Sequence, residues 1–271
     1  MKEKNAYILG TERAELHRLG VQHQVWSTEA RRGWEIGEFT EGQTILDLGC
    51  GPGFCTKELA YIVGDKGRVI GVDKSQHFID FLEKDLELHG LENVELHCES
   101  FDDMELEPES LDGVYHRWAL AWINNPQYIV SRLYDSLKPG GVIVSQEYFD
   151  WSIFQTEPKL PALNHAIDTA FKSFDKSDGE INIGRHLPRM FQEVGLEVIS
   201  NRTISKIGYN YDLTWQWPMT FLEIYVPKLK ESGVLDQKQV DDAIQELQEL
   251  EDLPGSSICC PLMCEIVAVK A

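Results

Sequence analysis

The chain has 271 residues, 42% of them hydrophobic, which is ample for one domain with a sizeable buried core and some additions but short of two full domains. Acidic residues outnumber basic ones by 45 to 25, and the net charge of −20 disfavours nucleic acid and anionic membranes, both of which are held by Lys and Arg. No apolar run nears the ~20 residues of a membrane span, residues 1–10 lack the apolar core of a signal peptide, and six cysteines without framework spacing fit free thiols, so a cytoplasmic protein is expected.

Residues 1–35 carry Leu16, Leu19, Val25 and Trp26 within a polar sequence, which predicts an N-terminal helical cover over a site in residues 36–271. Residues 43–48 are a β-capable segment that runs into Gly49, Gly51 and Gly53, after which residues 54–63 resume with helical spacing. Glycines between a strand and a helix N-terminus let the backbone turn sharply and press a ligand against atoms that a Cβ would block. A second strand, residues 68–72, delivers Asp73, whose carboxylate can accept hydrogen bonds from both hydroxyls of a ribose. The unit reads as nucleoside-binding, but its details disfavour a dinucleotide. Its spacing is G-x-G-x-G rather than G-x-G-x-x-G, Pro52 has no N–H to offer a pyrophosphate, and Asp47 repels phosphate while suiting a cation.

Residues 75–90 place Phe78, Ile79, Leu82 and Leu86 on one helical face that ends at a glycine. Strands are expected at residues 93–101 and 111–120. A helix over residues 126–138 has Pro126 in its first turn and stops at Pro139-Gly140-Gly141. Strand five follows at residues 142–146, a helix at 184–195, strand six at 196–206 and strand seven at 258–269. Two further segments exceed a minimal alternating fold. Residues 148–183 hold Trp151, Phe154, Phe171 and Phe174, and residues 209–254 hold Trp215, Trp217, Phe221 and Tyr225. Asp236 and Gln239 fit a capping box for a helix reaching Leu250. Inserts after strands five and six can fold over the carboxyl edge of the sheet, where ligands of open α/β folds bind, as lids; their aromatic residues serve either a pocket or local cores.

The run Ile45-Leu46-Asp47-Leu48-Gly49-Cys50-Gly51-Pro52-Gly53 resembles motif I of the class I S-adenosylmethionine-dependent methyltransferases, whose ligand carries an ammonium group and a sulfonium but no phosphate. Val69-Ile70-Gly71-Val72-Asp73-Lys74-Ser75 resembles the strand after motif I, and Leu137-Lys138-Pro139-Gly140-Gly141 resembles the turn into strand five, so the likeness runs from residue 40 to 150. It implies an α/β, Rossmann-like, seven-stranded sheet, mostly parallel with an antiparallel last strand and helices on both faces. It also implies S-adenosylmethionine held by Asp47, Gly49, Cys50, Gly51, Gly53, Asp73 and Lys74, an adenine edge at Ser100 and Phe101, and His116 and Arg117 beside the methyl group and substrate. Ser100 stands where many relatives carry an Asp.

Methyl transfer is an in-line displacement that needs no covalent protein intermediate and, for many acceptors, no base. The catalytic candidates are His116, Arg117, Glu147 and Tyr148 at the ends of strands four and five, with a structural ion pair or a satisfied histidine as the equally open alternative for His116 and Arg117. The expected acceptor is a small molecule, within the broad group that includes the quinone-biosynthesis methyltransferases. A basic protein side chain, or a non-catalytic S-adenosylmethionine-binding protein, are the alternatives. Cys259, Cys260 and Cys264 lie in an apolar strand-like run with no histidine nearby, so no metal site is expected.

Overall fold

The computed structural model describes residues 13–174 and 179–271. The first part of the predicted cover, residues 1–12, and residues 175–178 of the first insert lie outside them. The cover is a single helix, α1 (Arg13–Ile36). The alternating units follow as β1 (Thr44–Leu48), α2 (Phe54–Val63), β2 (Arg68–Asp73), α3 (Gln76–His89), β3 (Val94–Cys98), β4 (Leu111–Arg117), α4 (Pro126–Ser136) and β5 (Leu137–Asp150). Then come β6 (Gln155–Glu157), α5 (Pro161–Phe174), α6 (Leu187–Val194), β7 (Leu196–Ile204) and β8 (Ile207–Tyr209). The chain closes with α7 (Leu213–Glu231), α8 (Gln237–Asp252), β9 (Ser257–Cys259) and β10 (Leu262–Lys270). No helix among the described residues is long and apolar enough to cross a membrane.

Seven strands form one sheet in the order β3-β2-β1-β4-β5-β10-β7, with β10 antiparallel to both of its neighbours and the β1, β2, β3, β4 and β5 pairings parallel. Alternate residues of each strand face opposite sides, and both sides are buried. On one side Ala30 and Trp34 of α1 and Leu59 and Val63 of α2 share a core with Ile45, Val69, Val144 and Val267. On the other, Ile129 and Leu133 of α4 and Leu187 and Phe191 of α6 pack with Leu46, Val114, Ile143 and Ile266. Gly33 lets α1 lie close on the sheet, because a Cβ there would sit 2.8 Å from both Val144 Cγ1 and Glu265 Oε2.

Three local expectations are corrected. Strand seven is two strands in different sheets: β9 pairs with β6 and β8 in a small three-stranded sheet, while β10 completes the large one. Pro261 separates them, having no N–H for the ladder. Strand five runs on to Asp150, paired by β10 from Val142 to Asp150, and its register against β4 jumps from Leu111↔Leu137 to Gly113↔Val142. Strand three ends at Cys98, which leaves Ser100 and Phe101 in the loop beyond it. The two inserts build one cap: α5, α7 and α8 pack around a shared core that includes Trp151, Phe154, Phe174, Trp215, Leu222, Tyr225 and Leu247. The capping box at Asp236 and Gln239 is formed.

Candidate functional site

The turn between β1 and α2 takes left-handed backbone at Gly49, Gly51 and Gly53, with φ of 75°, 54° and 80°. A Cβ on Gly53 would stand 2.1 Å from Leu82 Cδ1 and one on Gly49 2.9 Å from the Ala119 Cβ, whereas one on Gly51 would meet open space. That space belongs to a cavity of about 660 Å³ at the carboxyl ends of β1, β2 and β4. A second hollow, about 740 Å³ and lined by Arg68, Glu92 and Glu95 among others, lies at the amino ends of β2 and β3, away from the turn.

Every residue assigned to the cofactor by resemblance lines the 660 Å³ cavity except Gly53 and His116. Asp73 braces the turn as well as facing the cavity. Its Oδ2 accepts the Gly51 N–H at 3.0 Å and its Oδ1 the Ser75 N–H at 2.8 Å, while burial pushes its pKa up against these two bonds. Asp47 is buried beneath the turn and accepts the Thr56 hydroxyl at 2.7 Å. Burial pushes its pKa up to about 6, against the Thr56 bond and the nearby Arg117 charge.

At the ends of β4 and β5 the pleat divides the four catalytic candidates. Arg117 and Tyr148 line the cavity; His116 and Glu147, one residue before each, do not, and both are fully buried. The Glu147 carboxylate instead holds the chain that leaves β4. Its Oε1 accepts the Ala119 and Leu120 N–H groups, each at 2.9 Å, and lies 3.1 Å from His116 Nδ1. His116 Nε2, Glu147 Oε2 and the hydroxyl of Ser145, the register partner of His116, are buried without hydrogen-bond partners. In this structure His116 and Glu147 form a buried pair outside the cavity lining.

Arg117 has a buried Nη1 without a hydrogen-bond partner, and its guanidinium lies 5.2 Å from the Trp118 ring. Burial opposes its charge, but Cys55, Tyr115, Asp47 and Glu58 outweigh that and raise its pKa. Trp118 takes φ of 55°, a strained value for a bulky residue. Its ring is held by stacking on Tyr148 at 5.3 Å and Trp217 at 5.5 Å and by the edge contact with Trp26, and its Nε1–H donates to Met263 Sδ.

The sequence placed a helical cover here and named Leu19, but not the polar residues that α1 adds to the site. Arg18, Leu19 and Gln22 line the cavity. Arg18 donates to both Glu15 oxygens at 2.8 and 2.7 Å and to Gln22 Oε1 at 2.8 Å, and the last atom also accepts Trp217 Nε1–H from α7 at 3.0 Å. The signal was the i, i+3 and i, i+4 spacing of Glu15, Arg18 and Gln22, which puts three polar groups on one helical face. Cys55, Tyr115, Trp122 and Asn124 are further lining residues without a prior assignment. Conversely, Trp215, Trp217, Phe221 and Tyr225 are not in the lining and belong to the cap core. Among the described residues no group of three or more His, Cys, Asp or Glu could hold a metal, and Cys260 and Cys264 are buried free thiols.

Residues 39–195, more than half of the chain, match the family described as "Methyltransferase domain". A demethylmenaquinone methyltransferase of Lactococcus lactis is 30% identical over 154 residues, which are 56% of each protein, so the chain spans about half the length of that curated relative. Among solved structures, a candidate methyltransferase of Bacillus halodurans superimposes with a TM-score of 0.60 at 17% identity, covering 90% of this chain and 99% of that one. Phosphoethanolamine N-methyltransferase 2 of Haemonchus contortus, solved with S-adenosyl-L-methionine, gives 0.59 at 17% identity over 93% of this chain and 57% of its own. These two likenesses show the fold. With the family match over residues 39–195, and the strand, glycine turn, helix and Asp73 assembled around one cavity, the chain belongs to the methyltransferase-domain family.

Proposed function

We propose that this protein transfers a methyl group from S-adenosylmethionine to a small-molecule acceptor. The observation that carries the reading is the single cavity that joins the turn and Asp73 to the Trp118–Tyr148 aromatic wall. Its polar groups fit the donor: an orphaned guanidinium nitrogen on Arg117 suits a carboxylate, buried Asp47 suits an ammonium group, and Asp73 suits a ribose. Ser100 and Phe101 are left for the adenine edge, with Lys74 beside them. When bound, the donor supplies a methyl carbon on positive sulfur, open to in-line attack by the acceptor.

The chain's own residues hold and orient. Arg18 and Gln22 of α1 line the cavity and are tied to α7 through Trp217, and fixing two reactants together is worth up to roughly 7–11 kcal/mol. With His116 and Glu147 behind the wall, the Tyr148 hydroxyl is the acid–base candidate that remains in the lining. A volume of about 660 Å³, partly filled by the donor, suits a compact acceptor better than a protein side chain on its backbone.

Titration calorimetry tests the first step: S-adenosylmethionine and S-adenosylhomocysteine bind, and Asp73→Ala weakens binding roughly 100-fold through lost charge-assisted hydrogen bonds. Tight NADH binding with no response to either ligand overturns the reading. A metabolite screen with methyl-labelled donor then identifies the acceptor, and label found only in protein would replace the small-molecule assignment.

A further inference from the structure

Two cysteines line the cavity, in opposite surroundings. Cys50 sits beside Asp47 and Asp73, and burial with these carboxylates raises its thiol pKa well above the ordinary value. Cys55 is the second residue of α2, in the helix's first turn, where unpaired N–H groups favour negative charge. Its Sγ lies 3.7 Å from His23 Nδ1 of α1, and His23 Nε2 lies 3.0 Å from Glu58 Oε1. Glu58 is held in turn by Arg31 through two bonds of 2.9 and 2.7 Å, and the His23 ring is fixed by stacking on Phe54 at 5.6 Å. Carboxylate, imidazole and thiol therefore stand in line across α1 and α2, with the sulfur on the cavity wall.

We propose that Cys55, paired with His23 and opening on the cavity, is a nucleophilic thiol and a covalent capture site for soft carbon electrophiles. Methyl transfer uses neither residue, so the site is additional to the proposed function. The charges that face it are His23 from α1, Glu58 from α2, Arg117 from β4 and Asp47 from β1, with the Tyr115 hydroxyl of β4 at 3.8 Å. Burial works against a charged His23, but its bonds to Cys55 and Glu58 override that and push its pKa up to about 9, which keeps a cation beside the sulfur at neutral pH. In the reaction with a haloacetamide, a sulfur lone pair forms the C–S bond, the carbon–halogen bond breaks, halide leaves, and the thiol proton passes to solvent while His23 stays protonated beside the sulfur. The adduct occupies cavity volume, so capture closes the site to its ligands.

The test is iodoacetamide labelling of the ligand-free full chain between pH 6 and 8.5, with each cysteine followed by mass spectrometry. Cys98 is exposed and serves as the solvent reference, and Cys50 as the reference for access through the cavity. An ordinary thiol of pKa about 8.5 gains roughly tenfold in rate per pH unit below that value. At pH 6.5 Cys55 is expected to react at least ~10-fold faster than both references. His23→Gln should slow Cys55 about tenfold and leave Cys98 unchanged; if that variant misfolds, Glu58→Gln should act in the same direction. A Cys55 rate no faster than both references at pH 6.5, or one that keeps its wild-type value in both variants, overturns the proposal.

Discussion

Asp47 shows how one residue links the fold to ligand chemistry. It is buried, with the Thr56 hydroxyl as its hydrogen-bond donor, and its pKa stands near 6, above the usual carboxylate range. A carboxylate with a raised folded pKa destabilises the protein when charged, so this cost is present above about pH 6 and is relieved as the pH falls towards 4. Binding a cation requires the charged form. S-adenosylmethionine affinity should therefore weaken as pH falls from 7 to 5, by at most tenfold per unit, with release of up to one proton on binding. Calorimetry in two buffers of different ionisation enthalpy reads that proton directly. A dissociation constant that stays flat over this range, with no proton release, would remove Asp47 from contact with the ligand's cationic end.

At the scale of elements, the β4 and β5 ends show why neighbouring residues differ in role. Side chains of a strand alternate, so of two adjacent residues only one can face a given cavity. Arg117 and Tyr148 face it and His116 and Glu147 do not; alternation limits each pair to one facing residue, but which one is set by the register of β4 and β5 in the sheet. What Glu147 does instead was not legible, because its partners Ala119 and Leu120 come from a turn with no distinctive sequence. Glu147→Ala should destabilise the fold by on the order of 3 kcal/mol, since it strands two buried N–H groups, and Glu147→Gln by less than half of that because an oxygen acceptor remains. Urea unfolding measures both. Turnover of the Gln variant should stay within a few-fold of wild type once an acceptor is known, and loss of kcat without loss of stability would return Glu147 to the catalytic groups.

At the scale of the molecule, the cap couples segments distant in sequence. Trp151, following β5, makes edge contacts with Phe154, Phe174 of α5, Phe221 of α7 and Tyr148 of the cavity wall. Trp151→Ala should cost roughly 3–5 kcal/mol in stability by opening a cavity in that core. Hydrogen exchange should then rise together in α5, α7 and α8 while β1 and β4 keep their protection. Exchange rising in α5 alone would mean that the inserts are separate lids rather than one cap.

The sequence by itself determined the alternating fold, the glycine turn and Asp73, because these follow from short-range rules: strand and helix periods, and a turn whose left-handed backbone favours glycine. It also contained the break at Pro261, which is a local effect. Only the tertiary structure decided which aromatic residues face the cavity and which fill the cap, because both kinds lie on similar amphipathic segments and their difference arises when α5, α7 and α8 choose one another as partners. The same holds for Arg18 and Cys55. Their place at the site depends on α1 lying across the sheet and over α2, a contact set by Gly33 against Val144 and by Glu29 binding Arg202 and Lys206 some 170 residues away.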